Sequence, residues 1–244
     1  MEIPVPHTFH IPVMGLAFTV DTPVKVARYG ISSVISIIED KLIELMRRHY
    51  CKEVNKPYKL ISDKEEDYRA KRITDYLNLV NGIVKQQVEK LRASAFEAGS
   101  DIVKYFEMLP GNNRLRQLYE QMNGCANAHE KDALVKYLRS RVRPGRIDVN
   151  IMTKVDNNNF DKHGNVLPDS SDALAALRGY IKSDLTDSSV IFSAGLNPRL
   201  FNYLEKVNAF DAKGWGVFDK KVVIKVSDYR SALIQGKYLA KKGV

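Results

Sequence analysis

The sequence predicts an α/β fold: parallel βα units of a partial TIM-type barrel, about five strands, with a long all-helical insertion after the second strand. Three observations predict it. Five short segments are rich in Val and Ile and bounded by Gly, Asp, Asn or Ser. Helix-start signals follow four of them closely, and strands alternating with helices through short loops make a parallel sheet. Between the second and third strand, roughly a hundred residues carry the three-and-four spacing of helices instead of strand alternation.

In chain order, the first strand is Ile11–Phe18. Asp21 or Thr22 can cap the helix after it, and Pro23 suits a first helical turn. That helix, Val24–Tyr29, stops at Gly30, a left-handed C-terminal cap. The second strand is Ile31–Ile37. In the helical stretch, Ile38, Leu42, Leu45, Met46 and His49 share one helix face, as do Ile73, Leu77, Val80, Val84, Val88 and Leu91. Pro110-Gly111 and Gly124 break the later helices. The third strand, Ile147–Met152, leads into a polar loop, Asp156–Asp169, and then a helix from about Ser171 to Lys182. The fourth, Ser189–Ala194, is followed by the cap-and-proline pair Asn197-Pro198. The fifth, Lys221–Val226, runs through Ser227-Asp228 into a helix ending near Lys242. The domain boundaries that follow are 1–39 with 144–244 for the barrel part and 40–143 for the insertion.

Composition narrows the class. The 244 residues, 44% hydrophobic and 27% charged, suit a globular chain that buries its own core. No apolar run approaches the roughly 20 residues of a membrane helix, so no membrane partner is expected. Met1–His10 lacks the basic start and apolar run of a secretory signal. Two distant cysteines, Cys51 and Cys125, predict a reduced, cytoplasmic protein. The net charge of +9 invites a nucleic-acid reading, but its distribution argues against one. Residues 40–143 carry +6 with the signs interleaved, as in Asp63-Lys64-Glu65-Glu66-Asp67, the pattern of a solvated face. Residues 220–244 carry another +6, with no aromatics interleaved beyond Tyr229 and Tyr238.

Strand alternation places the polar candidates. Val222, Ile224 and Val226 point one way, and Val223, Lys225 and Ser227 the other. If the apolar set packs under helices, Lys225 points into the centre of the sheet. Asp148, Asn150 and Met152 oppose Val149 and Ile151, and Ser193 shares a face with Ile191. Asn150, Lys154, Ser193 and Lys225 therefore gather near the C-terminal ends of neighbouring strands, where α/β sheets and barrels bind ligands. An inward lysine is costly unless paired or hydrated. It serves either as an anion contact or nucleophilic amine, or as an ion pair with Asp148 or Asp228. Asp21, Asn197, Ser227 and Asp228 are explained by capping. The Asn-rich run at 156–159 lacks the glycine and terminal glutamate of a calcium loop. The five histidines have no metal-ligand spacing, and no Walker, GxGxxG or GxSxG motif occurs.

The run VVIKVSDYRSALIQGKYLAKKGV within Lys221–Val244 resembles the FMN-binding barrel of glutamate synthase large subunits, in which a strand with a Lys-Val-Ser core leads into a helix of small residues ending at glycine. The segments IPVMGLAFTVDTPVKVARYGISSVIS, DVNIMTKVD and SAGLNPRLFNYL are similar to an uncharacterised bacterial glutamate-synthase-like family. The resemblance implies a (β/α)8 barrel, FMN as cofactor, and Lys225 as the strand lysine that approaches the flavin ring, with Asn150, Ser193, Lys154 and Ser227 beside it. A cation there would stabilise negative charge on the reduced ring. The departures are that five strands are legible where a closed barrel has eight, that the phosphate site after strands seven and eight has no counterpart, and that iron–sulfur cysteines and a glutaminase nucleophile are absent.

The expectation is thus the N-terminal part of a glutamate-synthase-like flavin barrel, an FMN-dependent oxidoreductase once the barrel is completed. One alternative is a non-catalytic binding protein that self-associates through an open sheet edge. Another is a Schiff-base aldolase or lyase using Lys225.

Overall fold

Four strands pair side by side in the order in which the chain makes them. The computed structural model describes residues 19–244 except 154, 162, 194 and 211–219. The predicted strand Ile11–Phe18 and the candidate Lys154 lie outside the described residues. Six strands occur among those described: β1 (Ser33–Ile37), β2 (Ile147–Ile151), β3 (Asn158–Phe160), β4 (Val166–Ser171), β5 (Ser188–Phe192) and β6 (Lys220–Ile224). The helices are α1 (Thr22–Val26), α2 (Asp40–Glu53), α3 (Tyr68–Ala93), α4 (Asp101–Glu107), α5 (Arg114–Gly124), α6 (Ala128–Arg141), α7 (Asp172–Lys182), α8 (Pro198–Lys206) and α9 (Tyr229–Ala240). The sheet order is β1-β2-β5-β6, all parallel. Every regular element in the described 40–143 stretch is a helix, as predicted.

The described residues fall into two compact units. One comprises Thr22–Ser33 and Gly82–Arg146, and the other comprises residues 19–21, Val34–Asn81 and Ile147–Val244. The predicted insertion is therefore divided: α2 and the first half of α3 count with the sheet.

In the helical unit, side-chain caps start α4, α5 and α6. Ser100, Asn113 and Asn127 accept hydrogen bonds from backbone N–H groups in the first turns of α4, α5 and α6. Phe96, Phe106 and Tyr119 stack at 5.9 and 5.7 Å between successive ring centres. The chain passes Ile31 so closely that a Cβ on Gly145 would lie 2.0 Å from the Ile31 carbonyl oxygen.

In the sheet unit, Asn197 and Asp228 act as caps as expected, and Ser171, expected only as a helix start, is a third. Ser171, Asn197 and Asp228 accept from the N–H groups of Leu174, Leu200 and Ser231, opening α7, α8 and α9. The predicted polar loop 156–169 is in part a β-hairpin, since β3 and β4 pair antiparallel. Asp161 organises its turn by accepting from the N–H groups of His163 and Asn165. Polar composition hid these strands because neither face of the hairpin packs on the core.

Pairing in register fixes two faces of the sheet. Val149, Val190 and Val222 share a row, as do Ile151, Phe192 and Ile224. This apolar face packs under helices: Phe192 lies 5.7 Å from Phe201 of α8, and the Tyr180 hydroxyl of α7 meets Ser188 at 2.9 Å. Lys220, at the start of β6, donates to the carbonyls of Tyr180, Ile181 and Ser183 at 2.7–2.9 Å and so closes the C-terminus of α7. β6 is the sheet's last strand among the described residues.

The predicted apolar stripe of α3 is buried from Ile73 to Leu91. That of α2 is not. Its buried residues are Asp40, Ile43, Glu44, Arg47, Tyr50 and Cys51, while Leu45 is 62% exposed and His49 is exposed. Charge pairing explains the difference. Arg47 makes a two-pronged bond to Glu44 at 2.7 and 2.9 Å, and Asp40 accepts from Arg72 at 2.7 Å, so these side chains enter the interior in pairs.

Gly179 marks the closest approach of α7 to α3. A Cβ there would lie 2.6 Å from Ile73 Cγ2 and 3.0 Å from the Ala70 carbonyl oxygen. Alanine would gain about 1 kcal/mol of helix propensity but incur overpacking of about 1–3 kcal/mol against a branched side chain and backbone. Gly179→Ala should therefore lower the stability measured by urea unfolding, by up to about 2 kcal/mol, with an unchanged m value.

Candidate functional site

The other face of the sheet is polar. Strand register places Asn150, Ile191 and Val223 in one row. Ser36 extends that row on β1: the Ile37 carbonyl accepts from Met152 N–H, and Asn150 Nδ2 donates to Ser36 Oγ at 3.2 Å. Thr19 donates to the same Ser36 oxygen at 2.8 Å. One step toward the C-terminal ends, Ser193 N–H approaches the Ile151 carbonyl, and Lys225 N–H donates to the Phe192 carbonyl. Met152, Ser193 and Lys225 thus form the next row. On the N-terminal side, Asp148 Oδ1 accepts from Ser189 N–H at 2.7 Å.

Burial falls across these rows. Ser36 and Asn150 are 0% exposed, Ile191 and Ser193 are half-buried, Val223 is 43% exposed and Lys225 is exposed. The polar face is closed at β1 and β2 and open at β6.

Two groups on this face lack hydrogen-bond partners among the described residues. Asn150 Oδ1 and Ser193 Oγ are both buried atoms without a hydrogen bond. Leaving such a group unsatisfied costs about 1–3 kcal/mol, so natural sequences keep few of them. With strands about 4.8 Å apart and a rise of about 3.3 Å per residue, Asn150 and Ser193 are separated by roughly 8 Å, and Ser193 and Lys225 by about one strand spacing. An acceptor, a hydroxyl and an ammonium therefore lie in two adjacent rows toward the C-terminal end of the sheet. A planar ligand with an N–H donor and an electron-rich edge satisfies all three.

The sequence-based candidates fare differently. Asn150, Ser193 and Lys225 occupy the expected face. Lys225 departs from expectation in burial: the strand ends at Ile224, and the lysine emerges into solvent at the sheet's edge with no ion pair to Asp148 or Asp228. Ser227 donates to Asp228 Oδ2 at 2.8 Å in an exposed turn, where it supports the cap of α9. Ser36 and Thr19 escaped sequence reading. The available signal for Ser36 was its position between Ile35 and Ile37 in a short strand, where alternation gives it the opposite face from those two isoleucines.

These contacts yield a test that needs no ligand. Asn150→Leu removes an unsatisfied buried carbonyl along with one bond to Ser36, which keeps its bond from Thr19. Its melting temperature should equal or exceed that of the unaltered chain. A fall of about 2 kcal/mol or more in unfolding free energy would make Asn150 a structural residue instead. In comparisons with known proteins, the chain matches no described family, no curated protein and no solved structure.

Proposed function

We propose that the parallel strands form part of the wall of a glutamate-synthase-like (β/α) barrel, and that its polar face holds the isoalloxazine ring of FMN for an oxidoreductase reaction. The observation that carries the reading is the pair of unsatisfied buried groups, Asn150 Oδ1 and Ser193 Oγ, on the same face as Lys225. Strand order adds support. Among the described residues, each later strand of this sheet joins at the same edge, β1-β2-β5-β6, without the reversal that defines a doubly wound sheet. Winding in one direction is how barrels are built.

FMN would supply hydride and electron transfer. The chain's own residues would bind and orient it. Asn150 Oδ1 accepts a ring N–H, Ser193 Oγ supplies a hydroxyl to a ring heteroatom, and the Lys225 ammonium opposes negative charge on the ring's polar edge. Exposure of Lys225 gives the Schiff-base alternative no support, because that chemistry draws on burial or a second cation to activate the amine.

Titration of FMN with the protein tests this reading. Saturable quenching of flavin fluorescence with a shift in the visible absorbance bands is expected. Asn150→Leu and Lys225→Met should each weaken binding about tenfold or more, about 1.4 kcal/mol per tenfold. An unchanged flavin spectrum at excess protein, or binding indifferent to both substitutions, overturns it.

A further inference from the structure

A second candidate site lies on the exposed side of α2, in the sheet unit, and shares no residue with the polar face of the sheet. Leu45, Arg48, His49, Lys52, Lys56 and Tyr58 line an open groove of about 520 Å³. Small-molecule sites span roughly 300–1,000 Å³. Three of the six residues are permanent cations and none is acidic. The +6 of residues 40–143 is interleaved in sequence, but the fold gathers part of it here with the acids elsewhere.

The groove is built by specific contacts. α2 ends at Glu53 with Val54 as its C-cap, and the next residue, Asn55, is left-handed with a φ of 52°. Asn55 N–H donates to the Lys52 carbonyl at 3.2 Å and Lys56 N–H to the Cys51 carbonyl at 2.8 Å, a Schellman closure. This turn brings Lys56 and Tyr58 back beside Arg48 and Lys52. Tyr58 is then fixed: its hydroxyl donates to Glu44 Oε1 at 2.7 Å, and the Arg47 guanidinium lies 4.8 Å from its ring centre. Glu44 does not oppose anions in the groove, because Arg47 neutralises it. Burial tends to raise the Glu44 pKa, but bonds from Arg47, Tyr58 and the Ile61 N–H outweigh it and hold the carboxylate ionised below the ordinary glutamate range.

The chemistry is that of a ligand with two parts. Arg48, Lys52 and Lys56 suit phosphate groups. The negative end of the α2 dipole opposes them with only about half an elementary charge, against three full positive charges. Leu45, 62% exposed, and the anchored Tyr58 give an apolar and aromatic wall that phosphate alone does not need. A nucleobase uses such a wall. We propose that this groove binds a nucleotide, with its phosphates on Arg48, Lys52 and Lys56 and its base against Leu45 and Tyr58. The ligand is either a free nucleoside polyphosphate or a nucleotide within a single strand.

Fluorescence anisotropy of a labelled ATP analogue at low ionic strength, with unlabelled competitors, tests the proposal. Saturable binding is expected, with ATP displacing the probe better than adenosine or tripolyphosphate. The double substitution Arg48→Glu/Lys52→Glu should weaken binding tenfold or more. Both residues are exposed, so the variant is expected to fold, and circular dichroism checks that. Lys237→Glu, an exposed charge on α9, should leave binding unchanged. Leu45→Ser should weaken ATP several-fold and leave tripolyphosphate competition unaltered. Stronger competition by a thymidine dodecamer than by ATP assigns the ligand to a strand, and the reverse assigns it to a free nucleotide. No saturable binding, equal binding by the folded double variant, or tripolyphosphate competing as well as ATP with Leu45→Ser silent overturns the proposal.

Discussion

The in-register parallel pairing of β1, β2, β5 and β6 governs the rest of the sheet unit. Because side chains alternate along a strand, one register sends Val149, Val190 and Val222 to the same side and Asn150, Ile191 and Val223 to the other. A shift by one residue would place Asn150 among the phenylalanines under α8 and turn the valines outward. The apolar rows hold this register against α7 and α8. The polar rows inherit their alignment from it and contribute little to stability themselves.

That division accounts for the unsatisfied groups on the polar face. Asn150 and Ser193 are aligned by contacts made on the opposite side of the sheet, so the fold tolerates their unmet hydrogen bonds. Ser36 Oγ accepts from both Thr19 and the Asn150 amide, which leaves the Asn150 carbonyl oxygen unbonded. A group kept dry, oriented and unbonded is preorganised for a ligand, because its desolvation cost is met on folding.

The apolar strands and the capped helices were legible in the sequence because both depend on local pattern. Ile147–Met152 and Lys221–Val226 match β2 and β6 to within two residues at each end, and Ser171, Asn197 and Asp228 cap the helices they precede. The two misreadings share a cause. Sequence pattern records which residues are apolar, not which polar residues find partners. Thus Glu44, Arg47 and Asp40 occupy the inner side of α2 that Leu45 and His49 were expected to fill, and the hairpin β3–β4 passes for a loop. Of the site, the facing of Asn150, Ser193 and Lys225 followed from strand alternation. The exposure of Lys225 did not, because alternation gives direction and says nothing of how far a sheet extends. The grouping of Arg48, Lys52 and Lys56 depends on the left-handed turn at Asn55, which interleaved charges conceal.

We propose that the polar face presents Asn150 Oδ1 to a ligand's N–H. The most direct measurement is the NMR signal of the Asn150 side-chain amide, assigned through its loss in Asn150→Leu, before and after addition of FMN. On binding, this signal should move and its hydrogen exchange should slow, in step with the flavin fluorescence. A signal unmoved while flavin binds, or unmoved because no flavin binds, would contradict it.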